Sequence, residues 1–169
     1  PDPQIWQHES GFTRNKEHQW YQPDNAWCAN GVLTITGKKE QVKNPAYDAG
    51  SNNWQKNREY AEYTASSINT RGTKEFQYGI FEIRAKIPTA GGAWPAIWTL
   101  GHSREWPSKG EIEIMEYYRI KEVPHILANA AWGTEKQYNA KWKSKAIPFT
   151  HFTAKDSYWA DKFHIRRMD

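Results

Sequence analysis

Gly110-Glu111-Ile112-Glu113-Ile114-Met115-Glu116 alternates acidic with aliphatic residues, the pattern of a strand with one polar and one apolar face. In an unbroken pleat Glu111 and Glu113 share a face, Ile112 and Ile114 share the other, and Met115 falls among the glutamates. Glu116 then points into the core, where an ionised carboxylate without a partner costs several kcal/mol. One extra residue at Met115, a β-bulge, removes the conflict: Glu116 returns to the face of Glu111 and Glu113, and Met115 turns inward. Three carboxylates then line one concave surface.

Other short alternating segments flank this strand. Residues 31–36 (GVLTIT), 65–69 (ASSIN), 79–87 (GIFEIRAKI) and 162–168 (KFHIRRM) read as half-buried strands, and no long helical period is present. Pro23, Pro45, Gly72, Gly91, Gly92, Pro95, Pro107 and Gly110 punctuate the connections, as in sandwiches and jelly rolls. The expectation is an all-β sandwich with a concave cleft. Residues 43–62 are polar with Tyr47, Trp54 and Tyr60 among them, which predicts a long loop carrying aromatics. The last segment looks like an edge in want of a partner, so residues 1–169 are read as one catalytic domain, the central portion of a longer jelly roll.

Ten Trp and nine Tyr in 169 residues are more rings than one core absorbs, and the surplus points to a recognition surface. Flat rings suit sugars, whose faces present C–H groups. The net charge of +4 and pI near 9.1 come from Lys and Arg scattered among Asp and Glu, a solvated surface rather than a nucleic-acid footprint. Cys28 is alone and reads as a small buried hydrophobe. No run of eighteen apolar residues offers a membrane span, and the residues from Pro1 onward do not read as a signal peptide.

Carboxylates gathered on one strand face repel one another, which stability alone does not reward. Glycoside hydrolysis uses such a set: one ionised carboxylate and one protonated carboxyl flank the scissile bond, and a separation of ~5 Å goes with a covalent intermediate and retention. After the bulge the Cα atoms of Glu111 and Glu116 lie roughly 13 Å apart at ~3.3 Å per step, a gap that two long side chains largely close. Glu113 between them would share protons and hold one neighbour's pKa up. Two other readings of the stretch stay open: solvent-facing glutamates alternating with core isoleucines, and an oxygen-rich calcium site, although such sites usually lie in loops rich in Asp and Asn.

An ordered series of motifs resembles glycoside hydrolase family 16, in its laminarinase and mixed-linkage β-glucanase branch. Residues 81–88 (FEIRAKIP) resemble the strand before the cleft, residues 92–101 (GAWPAIWTLG) its WPA-x-W segment, and Trp106-Pro107 followed by GEIEIMEYY its bulged catalytic strand. Trp20-Tyr21, Asn25 and residues 30–35 (NGVLTI) resemble the early strands. The resemblance implies a jelly roll with an open cleft, Glu111 as nucleophile, Glu116 as acid/base and Glu113 as the residue assisting between them. It further implies Trp94, Trp98 and Trp132 as sugar platforms and Asn25 and Arg71 as hydrogen-bond donors to substrate, Arg71 having Glu75 as an alternative partner.

The implied ligand is a β-1,3- or mixed β-1,3/1,4-glucan, with no required cofactor. The structural calcium of some members would find its ligands largely outside this chain. Polymeric glucans do not cross membranes, so a secreted or cell-surface protein, periplasmic included, is expected. Two departures stand out: Glu113 replaces the family's usual Asp, and Ala131 stands where a His often precedes Trp132. The first leaves open a glycan-binding module that has kept the cleft without catalysis, and the fold also serves galactan hydrolysis.

Overall fold

The computed structural model describes residues 1–169, which divide into two compact units, Pro1–Gln77 and Tyr78–Asp169. The first is built of short strands: β1 (Gln7–His8), β2 (Gln19–Tyr21), β3 (Ala26–Ala29), β4 (Val32–Ile35), β5 (Val42–Lys43), β6 (Tyr60–Ala61), β7 (Tyr63–Ala65) and β8 (Ile68–Asn69). They pair as β1 with β8, β2 with β7, β3 with β4 and β5 with β6. Cys28 is exposed, contrary to the sequence expectation, because the β3–β4 hairpin pairs only with itself.

The anticipated loop between β5 and β6 is ordered from within. Asn44 is buried, its amide donates to the carbonyls of Gln55 and Arg58 (both 2.9 Å), and its Oδ1 accepts from the Ala46 N–H. Arg58 lies 3.8 Å over the Phe12 ring.

The second unit carries the long strands. β9 (Phe81–Ala85), β10 (Ala96–Leu100), β11 (Glu111–Ile120), β12 (Val123–Gly133) and β13 (Ala140–Pro148) precede the single turn α1 (Thr150–Thr153) and β14 (His164–Met168). β10, β11, β12 and β13 form one antiparallel sheet in that order, and β14 pairs with β9. The two long strands that follow the acidic strand in the sheet, β12 and β13, are not evident from alternation. β12 follows a two-residue turn whose central residues, Lys121 and Glu122, both take positive φ (48° and 66°), where such turns usually take Asn-Gly. β13 (AKWKSKAIP) puts lysines on alternate positions of a sheet edge, a common guard against further pairing.

The bulge is present. Glu113 pairs with Asn129 on β12, but Glu116 pairs with Leu127, so three steps along β11 match two along β12. On the other side Met115 pairs with Ile97 and Glu113 with Trp98, so the extra residue is Ile114, one before the Met115 expected from the sequence. Met115 is 1% exposed and packs with Tyr117, Ile87 and Ile126, against which Ile97, Phe149, Phe152 and Trp159 are set. Ile112, expected in the same core, is 41% exposed: the packed core lies toward the far end of β11. The Met115→Ala change should lower the stability of the full-length protein by about 2–5 kcal/mol, read as a fall in the urea midpoint at unchanged slope.

Candidate active site

Directly opposed residues of an antiparallel sheet share a face, so the register lays out the carboxylate face row by row. Leu100, Glu111, Ala131 and Trp142 form one row across β10 to β13. Trp98, Glu113, Asn129 and Ser144 form the next, and Ala96, Glu116, Leu127 and Ala146 the third. Glu111, Glu113 and Glu116 thus stand on one face because the extra residue interrupts the pleat between the second and third rows.

Each carboxylate has a different environment. Glu116 is buried (9% exposed), its Oε1 accepting from Trp94 Nε1 and its Oε2 from Asn129 Nδ2, both at 2.7 Å. Burial raises its pKa, the two hydrogen bonds pull it back, and the charge of Glu111 raises it again. Glu111 accepts from Trp106 Nε1 at 2.9 Å. Glu113 lies between them with a buried Oε2 that has no hydrogen-bond partner. Desolvation, the charge of Glu116, and a hydrogen bond and charge from Glu111 push its pKa up to about 8. Near neutral pH Glu113 is therefore protonated and donates to Glu111.

An open cleft of about 570 Å³ lies over this face, lined by Trp94, Glu116, Tyr118, Asn129, Trp142 and Ser144. Trp94 meets Tyr118 edge to face, with centroids 6.3 Å apart. Trp106 and Trp142 also lie 6.3 Å apart, tilted by 50°. The glycine at 101 keeps the loop bearing Trp106 close to β10: a Cβ there would stand 1.8 Å from the Lys109 carbonyl, and the Gly101 N–H donates to the Gly110 carbonyl at 3.0 Å.

The sequence-predicted residues fall into two groups. Glu111, Glu113, Glu116 and Trp98 share the carboxylate face, and Trp94 joins them through its bond to Glu116. Trp132 pairs with Lys141, one residue off the Ala131–Trp142 row, so it lies on the opposite face, away from the carboxylates. Asn25 belongs to the first unit and is fully buried. Its two N–H donors go to the Thr36 carbonyl and Thr64 Oγ1, both at 2.9 Å, and its Oδ1 accepts from Gln22, so it has no donor left for a ligand. Arg71, also in the first unit, is exposed on a turn that its own backbone N–H closes onto Asn69 Oδ1.

Asn129 and Trp142 do not stand out in the sequence, and Trp106 and Tyr118 lie within the quoted catalytic-strand motif without an assigned role. Tyr118 was recoverable by carrying the bulged alternation two residues past Glu116. Asn129 and Trp142 needed the β11–β12–β13 register, which the atypical turn at Lys121-Glu122 concealed. No cluster of three or more His, Cys, Asp or Glu residues suited to a metal ion is present. No helix is long and apolar enough to cross a membrane.

Comparison with known proteins identifies the family. Residues 13–160 match the profile of the XgeA-like catalytic GH16 domain. The chain is 37% identical over 127 residues to a β-glucanase of Rhodothermus marinus, covering 69% of this chain and 39% of that one. Among solved structures it resembles, with a TM-score of 0.86 and 30% identity, one from work on endo-acting O-glycanases with which human gut bacteria initiate mucin breakdown; the match covers all of this chain and 60% of the other. The laminarinase catalytic domain of Thermotoga maritima matches with a TM-score of 0.74 and 30% identity, over 99% of this chain and 64% of its own. The chain thus spans well under half of the Rhodothermus enzyme and somewhat less than two thirds of either solved structure. A sheet whose acidic strand slips its pleat, with a family profile that fits nearly its whole length, places the chain in glycoside hydrolase family 16.

Proposed function

We propose that the protein of which these residues form part is an endo-acting β-glucan hydrolase working with retention of configuration. The observation that carries the reading is the set of three carboxyl groups on one sheet face, with burial raising the pKa of Glu113 and Glu116. Glu111, held by Trp106, is the nucleophile: it attacks the anomeric carbon as the glycosidic bond breaks. Glu116, with its pKa raised by burial, gives its proton to the leaving oxygen. In the second half Glu116 takes a proton from water, which attacks the same carbon, breaks the Glu111 ester and restores the starting configuration.

Glu113 takes the positioning role. Its proton, retained up to pH near 8, is donated to Glu111, which fixes that carboxylate and spares the site a further negative charge. The extra methylene relative to Asp still reaches Glu111. Trp94 and Trp98 offer ring surface beside the scissile bond, being 50% and 37% exposed. An open cleft rather than a closed pocket suits internal cleavage of a polymer, and a polymeric substrate implies action outside the cytoplasm.

A second reading is endo-cleavage of a β-galactoside chain of the O-glycan type. It is favoured by the higher TM-score with the structure from the O-glycanase work, 0.86 against 0.74 for the laminarinase. Laminarin, lichenan and a poly-N-acetyllactosamine chain, offered to the full-length protein, separate the two readings by their products. Binding without products from any of them would indicate a glycan-binding module.

Two outcomes are expected. Glu111→Ala should lower turnover of the preferred substrate by at least about 10³-fold, and added azide should restore it with formation of an α-glycosyl azide. Parent-level release of reducing ends without azide would remove Glu111 from the mechanism. The second concerns pH. A carboxyl group whose folded pKa lies near 8, against about 4.5 unfolded, binds more protons folded than unfolded in that window, so stability falls as pH rises from about 4.5 to about 8. Glu113→Gln is neutral throughout and should leave the midpoint temperature near that of the parent at pH 4, but raise it by a few degrees at pH 8. An equal shift at both pH values would place no raised pKa at Glu113.

A further inference from the structure

Trp142 takes no part in the bond-breaking steps, yet it stands half exposed (51%) on the carboxylate face and lines the cleft. We propose that Trp142 is the ring platform of a sugar subsite in line with Glu111, that Trp106 sets its plane, and that the subsite takes a neutral glycan. The proposal rests on reading this face as a glycosidase cleft and names a further subsite within it.

The register supplies the first argument. Glu111, Ala131 and Trp142 stand side by side on β11, β12 and β13. Ala131, in the middle, is 3% exposed although Trp142 beside it lines the cleft. A one-carbon side chain there leaves a low floor beside which the Trp106 and Trp142 rings meet at 6.3 Å. Trp106 donates to Glu111 at 2.9 Å, so contacts run unbroken from the platform to the carboxylate. β13 lies two strands from β11, about 10 Å at ~4.8 Å per strand step. A ligand touching both is an oligosaccharide rather than one sugar.

The second argument is the chemistry of the surface. An indole half open to water offers an apolar face, and covering it with the C–H face of a sugar removes apolar area from solvent while Nε1 stays free to bond a hydroxyl. Ser144, in the next row, adds a hydroxyl to the same cleft. Lys141, Lys143 and Lys145 alternate with Trp142 and Ser144 and so face the other side of the sheet. The platform's own strand therefore brings no cation to the cleft, and the acidic side chains on that face are Glu111, Glu113 and Glu116. A sulfated or uronic acid chain would meet like charge there, whereas a neutral chain meets none.

The test uses the full-length protein, Trp142→Ala and Trp142→Phe, and neutral oligosaccharides of two to eight sugars from laminarin and lichenan. Trp142→Ala should lower kcat/KM for the longest by roughly tenfold or more, with a smaller effect on the shortest. Trp142→Phe should recover most of the loss. A uniform loss at every length, or none, overturns the platform, and faster cleavage of sulfated than of neutral chains overturns the assignment of ligand charge. Should the parent protein cleave none of these, the glucanase reading falls separately. Trp142 is then judged by tryptophan fluorescence with the same sugars and with poly-N-acetyllactosamine: quenching lost in Trp142→Ala upholds the platform, and its absence in the parent overturns it.

Discussion

An ionised carboxylate turned into an apolar interior without a partner costs several kcal/mol, and at Glu116 that cost is avoided by a single extra residue in β11. The same insertion does two things. It turns Met115 into the core, where it is 1% exposed against Tyr117, Ile87 and Ile126, and it turns Glu116 onto the face already held by Glu111 and Glu113. Packing and chemistry are thus tied to one irregularity. Shifting the pairing by one residue would exchange faces for everything beyond it.

Once three carboxyl groups share a face, their mutual repulsion has to be relieved, and the surroundings relieve it unevenly. Trp94 and Asn129 each donate to Glu116, Trp106 donates to Glu111, and Glu113 is left with a buried oxygen without a donor. The proton therefore stays on Glu113, with its pKa near 8, and bridges toward Glu111. Nitrogen donors from the segments before β10 and before β11, and from β12, decide which carboxyl group keeps a proton.

Much of this was legible in the sequence because an energetic conflict marks the place. Alternation in residues 111–116 required a bulge, and the bulge returned the three acids to one face. What surrounds them was harder to see. β12 begins after a turn of Lys121 and Glu122, neither of which announces positive φ, and without that hairpin the rows joining Glu111 to Trp142 and Glu113 to Asn129 are invisible. Trp132 was singled out by its resemblance to a family motif, yet strand parity sends it to the other face. Asn25, also motif-borne, spends its amide inside the first unit. A motif places a residue on a strand, but only the register says which side it faces.

The most direct measurement is the strand register across the bulge, read from interstrand nuclear Overhauser contacts in the full-length protein with Glu and Leu selectively labelled. With Glu113 opposite Asn129, the slipped pleat predicts backbone contacts between Glu116 and Leu127. Contacts between Glu116 and Ile126 instead would mean an unbroken strand with Glu116 facing the core, and the catalytic assignment would not stand.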